Sequence, residues 1–122
     1  MKYKRVLLKV SGEALSGKTP IDFEKATETA LQIKALHDAG CLLGVVVGGG
    51  NIWRGRSGGT MDRSRADNIG MLATAMNALA LEQALIDLNV PVRVLSAVSM
   101  DMFMDSYSAR EANKSVDAGT VV

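Results

Sequence analysis

A chain of 122 residues has the length of one compact domain, and 48% apolar residues is the share of a globular protein rather than a disordered one. Fourteen basic residues against 13 acidic ones leave a net charge of +1, without the basic excess of a dedicated nucleic-acid binder. The lone cysteine, Cys41, excludes an internal disulfide and fits a reducing compartment; standing just before a strand pattern, it reads as a small buried hydrophobe. The opening run MKYKRVLLKVSG places basic residues before an apolar stretch too short, and too interrupted by Lys9, for a signal peptide or membrane span. A soluble cytoplasmic protein is expected.

Residues 3–10 (YKRVLLKV) read as a first strand, apolar enough to be buried on both faces. Residues 11–20 are loop-like. Asp22 is a good N-cap for a helix over 23–39, where Phe23, Ala26, Ala30, Ile33 and Leu36 recur at helical spacing and Ala39-Gly40 ends the run. A second strand at 42–47 empties into Gly48-Gly49-Gly50, and 55–62 is a glycine-rich, mobile loop. A long helix spans 65–88. Ile69, Leu72, Met76 and Leu79 form one apolar stripe on it; Met71, Ala75, Ala78, Leu81 and Leu85 form another. Such a helix is buried on two faces, either as an ordinary central helix or with one face against a second subunit. A third strand is read at 92–98, with Met100, Met102 and Met104 at period two as core or loop packing. A short helix at 107–118 and the start of a fourth strand at 120–122 complete the pattern. Strands alternating with helices specify an α/β layer with a parallel sheet, in which ligands sit outside the carboxyl ends of the strands.

Two strand ends are chemically loaded: Lys9-Val10-Ser11-Gly12 and Gly48-Gly49-Gly50-Asn51. Three successive glycines favour neither strand nor helix, but let backbone approach a ligand closely and present bare N–H groups to an anion such as phosphate. Arg54 adds a planar, permanent cation near the same spot. Residues 12–19, GEALSGKT, match the phosphate-loop pattern letter for letter, yet their context excludes it. Thr19 precedes Pro20, which disfavours the α region there, and the better helix start is Asp22.

Together KVSGEAL (9–15), GVVVGGGNIWRG (44–55), RADNIGMLATAMNALALEQAL (65–85) and DSYSAREA (105–112) resemble the bacterial-type uridylate (UMP) kinases of the amino acid kinase family. The resemblance covers essentially the whole chain. The tract DNIGMLATAMNALAL separates it from carbamate, acetylglutamate and aspartate kinases, which share only the lysine and glycine loops. It implies one domain over 1–122: a three-layer α/β/α sandwich on a mostly parallel sheet, cut after about four strands. It further implies phosphoryl transfer from ATP to UMP, with Mg²⁺ carried by ATP and no protein ligand assigned to it.

By resemblance, Lys9 lies against the transferring phosphates, Val10, Ser11 and Gly12 form the ATP-contacting turn, and Gly50 also contacts ATP. Gly49 contacts UMP through its backbone, Arg54 reaches phosphate, and Asp67 binds the acceptor's ribose hydroxyls; Lys9 and Arg54 are the catalytic pair. A homo-oligomer, hexameric in the family, is implied through the 65–88 helix region, with neither nucleic acid nor membrane as partner. Plainer readings stand beside these. Lys9 is also a strand-end lysine facing water, Asp67 a charge favouring the helix dipole, and Arg54 a partner for Asp62 or Asp67. Trp53 is read as partly buried beside the loop, and His37 as a surface or dipole residue. The segment 16–20 is shorter than its glycine-rich counterpart associated with GTP activation, so regulation is not carried over.

Family members are roughly twice this length, the size of a larger domain. The half carrying the adenine pocket and a catalytic aspartate lies beyond Val122, so the chain alone is expected to bind nucleotide weakly, to have negligible turnover and to expose a sheet edge. The alternatives are a non-catalytic nucleotide-binding module and a kinase of the same fold acting on a carboxylate or carbamate. Asp67 speaks against the last, since an anionic acceptor has no use for a carboxylate.

Overall fold

The computed structural model describes residues 2–54 and 59–122. Strands β1 (Arg5–Val10) and β2 (Leu42–Val47) pair in parallel through all six positions, from Arg5 opposite Leu42 to Val10 opposite Val47. Val122 lies on the other side of β2: its carbonyl accepts from Val45 N at 2.7 Å and its N–H donates to Leu43 O. Val121 in turn bridges Val92 in parallel, so the sheet runs from β1 through β2 and 121–122 to 91–93. The expected parallel layer is present, with its third strand shorter than the 92–98 read from sequence. Beyond Arg93 the described chain pairs again as β3 (Leu95–Ser96) with β4 (Asp105–Ser106).

Helix α1 (Phe23–Asp38) starts where Asp22 accepts a hydrogen bond from Glu24 N. It ends at Gly40, whose φ of +91° suits a residue without Cβ. Helix α2 (Arg63–Asp87) is capped by Asp62, which accepts from Arg65 N. Helix α3 (Ala109–Asp117) is capped by Ser108, which accepts from Glu111 N. The helix positions agree with the sequence reading to within two residues.

Helices α1 and α2 cover one face of the sheet. Ala26, Ala30, Ile33, Leu43, Leu81, Leu85 and Val121 form the core there, with Val6, Leu8 and Val10 packed against it. Cys41 is buried in the same core, as expected. The opposite face carries Arg5, Leu7 and Lys9, and only α3 lies against it, held by hydrogen bonds from Arg5 to Asn113 and Asp117. This corrects the expectation of a first strand buried on both faces: β1 alternates, and Leu7 is 70% exposed. No described element covers that stretch of the sheet.

The long helix also differs from its sequence reading. Its buried positions are Ala66, Ala73, Asn77, Leu81, Ala84 and Leu85, a line of mostly small residues that lets α2 lie close to its neighbours. Leu72, Met76 and Met71 are exposed, so α2 is buried on one side among the described residues rather than on two. By length and composition α2 could cross a bilayer, but its buried line belongs to the core shared with α1. Of the three methionines at period two, Met104 is buried, whereas Met102 is 91% exposed at a turn closed by Phe103 N on Met100 O.

Candidate functional site

The parallel register brings the carboxyl ends of β1 and β2 side by side, and Gly48 N donates to Val10 O at 2.9 Å to continue the ladder one step. Both chains then turn. Residues Gly12–Leu15 form a single 3-10 turn, and Gly49 O closes the other turn by accepting from Ile52 N and Trp53 N. The two turns touch. A Cβ on Gly12 would collide with Asn51 Oδ1 and lie 2.8 Å from Gly50 N, and one on Gly50 would lie 2.8 Å from Glu13 Oε1 and 3.2 Å from Arg54 Nη2. Gly49 faces the other way, into α2, where a Cβ would stand 3.1 Å from Ala73 Cβ, Gly70 O and Thr74 N. The glycines thus serve two close approaches, loop to loop and loop to helix.

The amides of Gly49 and Gly50 find no acceptor among the described residues. Unpaired backbone donors beside a guanidinium are what an oxyanion requires. Arg54 forms an ion pair with Glu13 across Gly50, both side chains about half exposed. Its partner is therefore Glu13, not Asp62 or Asp67 as the plainer reading had it; Asp62 is engaged in capping α2.

Lys9 stands opposite Val46, one residue short of the strand end, on the exposed face of β1. No hydrogen bond joins its side chain to the glycine loop among the described residues. Asp67 is exposed on α2, one turn before Gly70, whose carbonyl abuts Gly49. The structure thus gathers Val10, Ser11, Gly12, Gly49, Gly50 and Arg54 at one place, with Asp67 and Lys9 flanking them. Residues 55–58 of the glycine-rich loop lie outside the described residues.

The phosphate-loop reading of 12–19 fails as expected. Lys18 and Thr19 precede the helix in a turn where Lys18 N donates to Asp22 Oδ2 and Thr19 Oγ1 to Ile21 O. Backbone donors hold the Asp22 carboxyl below its usual range, Lys18 N being the largest cause and Glu24 N a smaller one. His37 is neither free surface nor a dipole partner alone, because its Nε2 lies 2.8 Å from Gly119 O and tethers the end of α3. Trp53 is half-buried beside the loop, with Cδ1 3.8 Å from where a Gly70 Cβ would sit.

One residue escaped the sequence reading. Asn77, in the middle of α2, is fully buried, and its side chain donates to Gly48 O and to Asn51 Oδ1, both at 2.7 Å. Asn51 returns a bond to Asn77 Oδ1 and donates to Pro20 O. The available signal was an asparagine in register with Ala73, Leu81 and Ala84 on the buried line of a helix. A cleft of about 840 Å³ lies elsewhere, between β2, α2 and residues 92–98; its walls are mainly apolar, including Val46, Ala78, Leu81 and Val98. It meets the glycine loop's surroundings at Val47 and Thr74, and its donors, Arg5, Arg93 and Tyr107 among them, lie away from the paired strand ends.

Residues 4–122 match the amino acid kinase family model. The chain belongs to the amino acid kinase family. Among solved structures it is similar to UMP kinase from Ureaplasma parvum, with 41% identity and a TM-score of 0.91 over 99% of this chain and 53% of that one. It is likewise similar to UMP kinase from Bacillus anthracis, with 36% identity and a TM-score of 0.91 over 98% of this chain and 51% of that one. The chain spans about half the length of these two kinases.

Proposed function

We propose that this chain supplies the lysine–glycine half of a site that transfers the γ-phosphoryl group of ATP to UMP. An oxygen of the UMP phosphate bonds to the γ-phosphorus while the bond to the β–γ bridging oxygen breaks, giving UDP and ADP. The carrying observation is the abutment of the two strand-end turns, where Gly50 lies against Arg54 and the amides of Gly49 and Gly50 find no acceptor among the described residues. Likeness to two solved UMP kinases supports the choice of acceptor.

In this reading Lys9 and Arg54 spread positive charge over the transferring group, the electrostatic contribution on which phosphoryl transfer chiefly depends. Val10, Ser11, Gly12 and Gly50 hold ATP; Gly49 holds UMP by its backbone, and Asp67 accepts from the ribose hydroxyls. Glu13 keeps Arg54 extended over Gly50 until a phosphate replaces it, because an exposed ion pair contributes little. Mg²⁺ travels with ATP and neutralises part of the phosphate charge. The exposed Leu72 and Met76 on α2 support association with further copies through that helix, and the lone cysteine fits a reducing, cytoplasmic setting.

A second reading, a nucleotide-binding module without turnover, is supported by a site made of backbone amides and one arginine, which can hold a phosphate without transferring it. Assaying ADP formation in the presence of UMP, with this chain and with its complete reading frame, separates the two. The proposed kinase shows UMP-dependent turnover in the complete product, and Lys9→Ala abolishes it. Turnover unaffected by Lys9→Ala would remove the assigned role, and a complete product that binds UMP without turnover would favour the module.

A further inference from the structure

A fully buried amide is a costly thing to place in a helix where an apolar side chain would pack, unless its hydrogen bonds are all made. Asn77 makes them in an arrangement that reaches beyond the core. Asn77 and Asn51 face each other as a reciprocal amide pair, and their outer N–H groups take two backbone carbonyls: Gly48 O at 2.7 Å and Pro20 O at 2.7 Å. Helix α2, the glycine loop and the turn before α1 are joined by this one network.

The bond to Gly48 O has a directional consequence. A trans peptide is planar, with its C=O and N–H pointing in opposite directions. Drawing the Gly48 carbonyl inward to Asn77 therefore turns the Gly49 N–H outward, where it finds no acceptor among the described residues. Gly49 and Gly48 have no side chains to lock this plane, and glycine is the residue least able to hold one by itself. We infer that Asn77 is a positioning residue: it fixes the Gly48–Gly49 peptide plane so that the Gly49 N–H is held ready as a donor to a phosphate oxygen, with Asn51 fixing Asn77 in turn. This rests on the phosphate-cradle reading above.

The test uses this chain labelled with ¹⁵N, the variants Asn77→Leu, Asn77→Asp and Asn51→Ala, and Ile33→Val as a core control remote from the loop. Asn77→Asp keeps the shape but removes the donor to Gly48 O. Asn51→Ala disturbs the network from its partly exposed end, so it reports even if the Asn77 variants do not fold. Without ligand, the Gly49 amide order parameter should fall from about 0.85 to below about 0.6 in the network variants and stay at the native value in Ile33→Val. With UMP as the probe, affinity should fall about tenfold in the network variants, the worth of one positioned hydrogen bond, and stay within about twofold in the control. An unchanged Gly49 order parameter, or a UMP affinity that falls in Ile33→Val as far as in Asn51→Ala, overturns the proposal. A chain that binds no UMP at all counts against the nucleotide reading alone, since the order parameter still decides the role of Asn77.

Discussion

The two faces of the β1–β2 sheet are built on different physics. One is sealed by α1 and α2 with side chains that lose nearly all contact with water, Leu15, Ile33, Leu43 and Leu85 among them. The other holds α3 by polar clasps at its rim: Arg5 to Asp117 and Asn113, and His37 to Gly119 O. Between those clasps Leu7 and Val46 stay exposed. Stability concentrated on one face leaves the strand ends rigid at their roots, while the loops beyond them remain accessible. That division suits a site made of backbone amides, which need a fixed frame and an open mouth.

The comparison can be broken most forcefully at the sealed face. Ile33→Ala should cost about 2–5 kcal/mol, read from urea unfolding, because a fully buried side chain leaves a cavity. Next comes the seam between the glycine loop and α2. Gly49→Ala should cost about 1–3 kcal/mol, since the new methyl group meets Gly70 O and Thr74 N at 3.1 Å and helix backbone cannot yield cheaply. The same substitution at Gly59, where a Cβ meets nothing among the described residues, carries chiefly the strain of its φ of +63°.

A smaller effect belongs to the clasp at Arg93, which donates to Asp105, Glu111 and Ser115. The hydrogen bond from Arg93 holds the Glu111 carboxyl below its usual range. A depressed folded value means that the clasp stabilises above the unfolded carboxylate range, near pH 4, and is lost as pH falls through the lower folded value. Thermal unfolding followed from pH 6 downward should therefore show a shallower decline in Arg93→Met than in the native chain. Equal slopes would remove the clasp from the account. Smallest of all, Leu7→Ala on the open face should change stability by no more than about 0.5 kcal/mol, and a larger loss would mean that this face is covered in solution.

Much of this was readable from the chain. Asp22 and Gly40 mark helix ends because capping is local chemistry, and β2 is bounded by glycines that cannot sustain a strand. The chemistry at the strand ends was readable for the same reason, as lysine and glycines stood where an α/β fold collects its ligands. What was not readable depends on contacts distant in sequence. Alternation in YKRVLLKV is masked by Leu7, an apolar residue on the exposed face, so β1 read as buried on both sides. The stripe of Leu72 and Met76 carries the period of a core face without lying in the core. Glu13 reached Arg54 only because two turns meet in space, and Asn77 took its meaning from a carbonyl 29 residues away.

If backbone amides at the paired strand ends receive nucleotide phosphate, amide-resolved titration of the chain with UMP and with MgATP will show it. The largest shifts should fall on Gly49 and Gly50 and on Ser11 and Gly12, and inorganic phosphate should reproduce part of the pattern. Shifts confined to the apolar cleft around Ala78, Leu81 and Val98, with the glycine amides unmoved, would contradict it.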